Sequence, residues 1–580
     1  MRVLITAALP YANGPLHFGH IAGAYLPADC YSRFQRLIGN EVLYVCGSDE
    51  HGVAITLGAE IAGSTPKKYV DHFHQVIQDF FAKMDVRFDH YSRTTWEGHA
   101  ETVQRYFHDL LKNGFVEERV TDQLYSERGR RFLADRYIVG ECPRCGCGGA
   151  RGDECPKCGA SYEATDLREP RAKLTGDRLT LKKTKHWFLR FDLFKERLTK
   201  WIKAKHWKSN VVHFAQNYID DLKPRAITRD SEWGIPVPLR GAEGKVLYVW
   251  FDAPIGYISA TKEWASKRGE PDAWKAYWYD AETKFVNFIG KDNIPFHAIF
   301  FPAMTMGQDS PYKLVDELPA NEFYHLEGRQ FSKSEGWYID AKDFFEKFSV
   351  DQIRYTIAAN APETRDSEFS WKDFQRRCNS ELVGKYGNLV HRVLTLVCGR
   401  CAAKMPPYGD LGGEDRAFLE KIDEIFRGTY QAYSHFQLRK ATRLIMELAQ
   451  EGNVYFDSKQ PWKAAKTPHL VPMMHTTLAC CARALQCLAA ISYPVIPRSA
   501  EVVWRLLGFQ RSLSQCGWHD ILEKHISPGQ RFSKPELLFS KVEDRVIEEE
   551  LEKLKQRFPR GGKAWQESLR ILGSNQRQAD

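Results

Sequence analysis

Two hydrophobic periodicities divide this chain. Residues 3–9 form a short apolar run that ends in Pro10-Tyr11-Ala12-Asn13-Gly14-Pro15, and from Leu16 apolar positions recur at helical spacing. A run that is apolar at both parities predicts a strand covered on both faces, and strand, loop and helix in succession predict a parallel sheet. A second such unit opens at Asn40: residues 41–46 are rich in β-formers, and Gly47-Ser48-Asp49-Glu50-His51-Gly52 is a polar loop. Residues 246–251 and 285–290 read as two further buried strands of the same sheet. From about 115 to about 230 both periodicities weaken, cysteines cluster, and basic and aromatic residues alternate, the pattern of an insertion that splits a domain. Beyond Trp371 the chain is almost wholly helical, with apolar spacing through 382–397, 417–432 and 438–455, then a charged helix at 542–558 and a polar tail.

Composition trims the alternatives. With 43% apolar and 27% charged residues over 580 positions, the chain is globular and long enough for several cores, which excludes a disordered or collagen-like protein. A net charge of +8 permits a polyanionic partner without demanding one. No apolar run reaches the ~18 residues of a membrane span, since the stretch 478–496 contains Arg483. The start, Met1 to Ile5, turns polar at Thr6, unlike a secretory signal, so we expect no membrane association and a cytoplasmic location. In that setting the 14 cysteines are thiols or metal ligands rather than a disulfide framework.

Their spacing separates those two roles. Cys142-x2-Cys145-x9-Cys155-x2-Cys158 carries Pro143 and Pro156 after the first Cys of each pair and Gly146 and Gly159 after the second, the pattern of two turns that aim four thiolates at one zinc ion. Four thiolates leave no open coordination position, so the zinc is expected to be structural. Cys147 is a spare thiol beside the site, and Cys398 and Cys401, with no second pair, read as buried helical thiols.

Two other segments suggest phosphate chemistry. His17-Phe18-Gly19-His20 opens the first helix, so its imidazoles share one face, close to backbone N–H groups that favour an anion. Gly19 would let a ring or phosphate approach the backbone. Phe331-Ser332-Lys333-Ser334-Glu335-Gly336 is a polar loop whose lysine could clamp pyrophosphate. Each alone also reads as an ordinary surface histidine pair or a solvated loop.

Taken together, the segment Ala8 to Gly14 running into His17-Phe18-Gly19-His20, with Phe331 to Ser334 downstream, resembles the HIGH and KMSKS signatures of class I aminoacyl-tRNA synthetases, most of all the methionyl-tRNA synthetase family. The likeness extends to Gly47–Gly52, Val249–Tyr257, Phe288–Asp292, the cysteine insert and the helical C-terminal half, nearly the whole chain. It implies a Rossmann-like catalytic domain in two halves (1–114 and 231–325) split by a connective insertion with a zinc knuckle (115–230). A signature-loop junction (326–370), a helical anticodon-binding domain (371–535) and a C-terminal helix with tail (536–580) would follow.

The resemblance also implies the reaction: methionine and Mg2+-ATP give methionyl-adenylate and pyrophosphate, and the acyl group passes to the 3′ end of initiator and elongator methionine tRNA. Catalysis would rest on positioning and charge stabilisation. By similarity His17, Gly19, His20, Gly290, Asp292, Ser332, Lys333 and Ser334 bind ATP; His17, His20, Lys333 and Arg229 act in catalysis. Leu9, Tyr11, Trp250, Ala253, Pro254, Tyr257 and His297 line the methionine side-chain slot, while Asp49 pairs with the ammonium and Phe301 stands where some relatives carry Trp. Asn388, Arg392 and an exposed Trp462 would read the anticodon by base-edge bonds and stacking.

Two departures from the family pattern stand out. Gln330-Phe331 occupies the place of the usual Lys-Met, removing one signature cation while keeping Lys333. Where some relatives build a second zinc knuckle, Ser126, Gly129, Ala172 and Thr175 stand instead of cysteines, so one zinc per chain is expected. The insert is too short for a separate editing domain, which disfavours isoleucine, leucine or valine, and any proofreading would fall to the synthetic site. A C-terminal dimerising barrel is not expected, and the chain reads as a monomer. The competing readings are another class I synthetase, an inactive RNA-binding paralogue, or a zinc-dependent nucleic-acid-binding protein without ATP chemistry.

Overall fold

The computed structural model describes residues 1–134, 137–152, 155, 157–158, 162–333 and 335–558. Pro156, Gly159 and Ser334 lie outside the described residues. The central element is a five-stranded, all-parallel sheet of β1 (Arg2–Ala7), β2 (Glu41–Ser48), β3 (His90–Arg93), β4 (Lys284–Gly290) and β5 (Ala320–Asn321), in the order β3-β2-β1-β4-β5. This is a doubly wound, Rossmann-like sheet, and its strand order reverses between β1 and β4. A crevice at the carboxyl ends of those two strands is where such sheets bind ligands.

Strand β1 shows why the apolar run has no alternation. Val3, Ile5 and Ala7 enter one core and Leu4 the other, on opposite faces of the sheet, all fully buried. One face is covered by helix α1, continuous over residues 18–37, with a π-helical segment at Ile21–Tyr25. Within this π turn the Ala22 carbonyl accepts a hydrogen bond at 3.2 Å from the side chain of Asn321, the last residue of β5. The helix start is thereby tied to the far edge of the sheet.

The expected strand at 246–251 is not part of this sheet. Lys245–Leu247 pairs antiparallel with Thr228–Asp230, and Val249–Asp252 is helical. The reason is that Trp250 must leave the strand register to reach the ligand crevice, and Pro254 four positions on fits a helical turn but removes a ladder donor. The insert is more regular than its weak periodicity implied. Val116–Ser126 and Thr180–Leu189 form an antiparallel ribbon from Val116↔Leu189 to Tyr125↔Thr180.

The C-terminal half is a helical bundle as expected, with helices Asn388–Arg400, Gly413–Ser434, Leu438–Lys459 and Val471–Ser492. Residues Pro468–Ser492 are, among the described residues, the one helix long and apolar enough to cross a bilayer, but 94% of its most apolar window is buried in the bundle. Its Arg483 is buried too, donating to the Ile521 carbonyl at 2.6 Å. Helix Asp544–Arg557 then returns to the catalytic half.

Candidate active site

The loop after β1 and the loop after β2 are stitched together by a bridge between Tyr11 and Asp49, with Ala12 N–H donating to the Asp49 carbonyl at 2.8 Å. Behind them lies a cavity of about 370 Å3 whose wall contains every residue expected in the methionine slot: Leu9, Tyr11, Asp49, Trp250, Ala253, Pro254, Tyr257 and His297. Asn13, Arg229, Trp233, Asn293 and Phe296 line it as well. Its wall is mostly apolar with a few polar groups, the usual build of a small-ligand site.

The polar groups have definite roles. His297 Nδ1 lies 3.0 Å from the Asn293 carbonyl and must donate to it, so Nε2 accepts the Tyr257 hydroxyl proton at 2.8 Å. Burial pushes this imidazole down to about 4, so it stays neutral at pH 7. Asp49 is buried, and its carboxylate receives only a long contact from His51 N–H at 3.4 Å. Burial first, then the neighbouring Asp252 carboxylate, push it well above the usual carboxylate range. A cation placed beside it would favour its ionised form.

Residue types alone missed three parts of this site. His51 Nδ1 meets Asp252 Oδ2 at 2.9 Å, both buried, directly behind Asp49. Trp233 donates its indole N–H to the Glu50 carbonyl at 2.8 Å. Phe296 stacks on Trp250 at 3.8 Å between centroids and 10° between planes. The only sequence signal was proximity, since His51 and Asp252 each sit two residues from a named ligand.

Beyond that stacked pair lies a second cavity of about 830 Å3, between the insert ribbon and the core, lined by His186, Lys223, Arg225 and Phe300 among others. Arg229, Tyr248 and Trp250 border both cavities. Arg229 is held in this wall by the Thr228 carbonyl at 2.9 Å and by the Tyr248 ring, 3.9 Å from its guanidinium carbon.

The two distant signatures meet. His17 caps helix α1 rather than lying inside it, and its ring stacks on His20 at 3.7 Å. His17 N–H donates to His20 Nδ1 at 3.2 Å, which leaves Nε2–H of a neutral His20 free as an outward donor. Lys333, from 313 residues further along the chain than His20, donates to the Leu16 carbonyl at 2.9 Å and also to that of Pro15. Burial pushes its ammonium down to about 7. Phe331 stacks on His17 at 4.6 Å and 7°. A Cβ at Gly19 would lie 3.0 Å from the His17 ring and 3.1 Å from Phe331, so this glycine makes room for the stack between the two signatures. Gly290 ends β4 beside the exposed Asp292, and a Cβ there would stand 2.8 Å from Asp292 Oδ1.

The four cysteines converge as expected: Cys142 Sγ and Cys158 Sγ are 3.8 Å apart, Cys145 Sγ and Cys155 Sγ 3.7 Å. Bonds of about 2.3 Å to a tetrahedral ion put sulfurs about 3.8 Å apart, so the set fits zinc. Cys145 N–H points at Cys142 Sγ at 3.5 Å, and Gly146 takes the positive φ of +70° that the turn needs. Cys147 lies outside the group, bonded to the Gly148 carbonyl. At the second-knuckle position, Ser126 Oγ donates to Asp177 at 2.8 Å and accepts from Gly129 N–H at 2.9 Å, a hydrogen-bonded staple in place of thiolates. Cys398 and Cys401 prove only half-buried, because Cys401 lies just past the end of its helix and Cys398 turns outward to the Ser533 carbonyl.

In the bundle, Asn388, Arg392 and Trp462 share one surface. Asn388 Nδ2 donates to Asn453 Oδ1 at 2.9 Å, and Arg392 pairs with Asp457 and lies over Phe456 at 4.6 Å and Trp462 at 5.5 Å. Trp462 is half-buried rather than freely exposed, since Arg392 covers one of its faces.

A parallel sheet with a His-x-x-His helix start and a lysine loop closed over it at the switch point defines a class I tRNA synthetase. Residues 3–394 match the model of tRNA synthetases class I (M), and residues 405–563 that of the anticodon binding domain of methionyl tRNA ligase. The chain belongs to the methionyl-tRNA synthetase family. Curated relatives include the methionine–tRNA ligase of Protochlamydia amoebophila, 61% identical over 96% of this chain and 80% of that protein. The Chlamydia abortus enzyme of the same name is 53% identical over 87% of this chain and 92% of that one. Among solved structures, Mycobacterium tuberculosis methionyl-tRNA synthetase in complex with methionyl-adenylate is similar with a TM-score of 0.77 and 25% identity, over 93% of this chain and 100% of that chain.

Proposed function

We propose how this chain carries out its reaction, the ATP-dependent ligation of methionine to tRNA through methionyl-adenylate. The thioether side chain fills the slot between Leu9, Ala253, Pro254, Tyr257 and His297, and its ammonium neutralises Asp49. A neutral His297, fixed by Asn293 and Tyr257, offers no charge to reject an apolar substrate. The methionine carboxylate then faces the α-phosphate, held by His20 Nε2–H, with His17 beside it and ribose near Gly290 and Asp292. In an in-line displacement a carboxylate oxygen forms the bond to the α-phosphorus as the bond to the bridging oxygen breaks, and pyrophosphate leaves with that electron pair. Lys333 would stabilise the departing charge, and Mg2+ arriving with ATP would supply further charge neutralisation. In the second step the terminal ribose hydroxyl of tRNA attacks the activated carbonyl, AMP leaves, and Arg229, between the two cavities, steadies the mixed anhydride. The larger cavity, with Lys223 and Arg225 in its wall, suits the single-stranded acceptor end.

Asn388, Arg392 and Trp462 would read the anticodon of initiator and elongator tRNA on one surface, Arg392 swinging off Trp462 so that a base can stack there. One structural zinc at Cys142, Cys145, Cys155 and Cys158 holds the insert tip. The setting we propose is cytoplasmic.

The observation that carries this reading is a buried Asp49 carboxylate, met only by the long His51 N–H contact, in the wall of a largely apolar cavity. Pyrophosphate exchange into ATP, run with each amino acid in turn and followed by tRNA charging, tests it. Methionine alone should drive exchange, and Lys333→Ala should slow it roughly 10² to 10³-fold with methionine affinity unchanged. Exchange driven by leucine, or by no amino acid, would sink the proposal.

A further inference from the structure

The signature loop is gripped at both ends, and one grip comes from the far end of the chain. Ser332 and Trp337 exchange both backbone hydrogen bonds, at 2.9 and 2.7 Å, closing a hairpin whose first loop residue is Lys333. On the nucleotide side Phe331 lies flat on His17. On the outer side Trp337 is anchored by its indole N–H to the Leu326 carbonyl at 2.8 Å and met edge-on by Phe558, the residue just past the C-terminal helix, at 5.3 Å. The Arg329 guanidinium sits against both rings, 5.3 Å from Trp337 and 4.9 Å from Phe558. The next residue back, Arg557, pairs with Asp343 at 3.3 Å and lies over Tyr338 at 5.5 Å, the same ring that Lys333 approaches at 5.9 Å. Buried Glu550, between Lys347 and Lys553, docks the helix on the segment that follows the loop.

We propose that the end of the C-terminal helix is a positioning element for adenylation: Phe558, through Arg329 and Trp337, holds the hairpin so that Lys333 faces His17 and His20. Phe558 touches no substrate. Its effect is on the fraction of molecules whose loop is in register when ATP arrives. The substitution pattern gives this a physical reason. With Gln330 in place of a signature cation, one electrostatic tie between loop and phosphates is missing, and aromatic contacts at Phe331 and at the Arg329–Trp337–Phe558 cluster supply rigidity instead.

The proposal rests on the reaction described above, and exchange by the unaltered chain with methionine is the control that separates the two. In the full chain, Phe558→Ala should lower kcat/KM for ATP in pyrophosphate exchange about fivefold, the worth of one exposed cation–π contact. KM for methionine and the thermal midpoint should hold, and Phe558→Tyr should restore most of the loss. Arg329→Gln, which removes the cation but keeps both rings, should reproduce the ATP defect even if Phe558→Ala folds poorly. Unchanged ATP kinetics in a folded Phe558→Ala or Arg329→Gln variant would overturn the assignment. So would a loss shared equally by ATP and methionine that Phe558→Tyr fails to rescue, since that marks a purely structural role.

Discussion

At the scale of single residues, the site works through burial acting on charge. Burial, and after it the neighbouring Asp252 carboxylate, hold Asp49 neutral over a wider pH range than a free carboxyl. Binding an ammonium requires the ionised form, so methionine binding should release a proton, and affinity should fall as pH drops through the raised pKa of Asp49. Titration calorimetry in buffers of different ionisation enthalpy reads this directly. Asp49→Asn should remove the pH dependence and weaken binding by about 10 to 100-fold, the worth of a hydrogen bond to a charged group. These roles were half legible beforehand. Asp49, Tyr11 and Trp250 were recognisable from the motifs around them, but that His51 and Asp252 pair behind Asp49 depends on a 201-residue separation that no local pattern encodes.

At the scale of elements, the insert tip brings four cysteines together over a core too small to fix its turns. The cluster under it is small, built around Leu124, Leu133, Tyr137, Ile138 and Leu167 with two of the four cysteines. So little apolar surface cannot hold the turns together by itself, and a zinc ion contributes directly to folding in such places. Metal analysis should find one zinc per chain. Cys155→Ser, which alters a buried ligand, should lose the metal and expose residues 126–180 to proteolysis, while methionine-dependent pyrophosphate exchange is retained. The four-cysteine spacing made this element readable in advance because all ligands lie within one short stretch of chain. The ribbon beside it was hidden, since its exposed faces carry Lys, Glu, Thr and Arg and give no clean alternation. The misassigned strand at 246–251 failed for the opposite reason: an aromatic run rich in β-formers was recruited as pocket wall, where tertiary contacts override propensity.

At the scale of the whole molecule, catalytic sheet and helical bundle are locked together by a buried charge cluster. Arg354 is fully buried and donates to Asp29 at 2.7 Å, to the Val495 and Pro494 carbonyls at 2.8 and 3.0 Å, and to those of Met84 and Asp85 at 3.0 and 3.1 Å. Asp29 lies on the same helix as His20 and also binds Arg33 at 2.8 Å, and those guanidinium groups hold its carboxyl below the usual range against the opposing pull of burial. Arg354→Met should therefore cost about 3 to 5 kcal/mol, because it takes one of two guanidinium partners from a buried carboxylate and a donor from several buried carbonyls. Thermal unfolding should show a midpoint lowered by several degrees, and tRNA charging should suffer more than adenylate formation because the bundle has lost its anchor. Local periodicity and short motifs sufficed for the parallel-sheet class, the helical C-terminal half and the grouping of four cysteines, while the family resemblance supplied most of the residues that line the pocket. How Lys333 reaches the Pro15 and Leu16 carbonyls, why Gly19 must be glycine, and which face of Trp462 is covered became visible in the folded chain alone. Those outcomes depend on contacts between segments far apart in sequence, whose energies no local pattern contains.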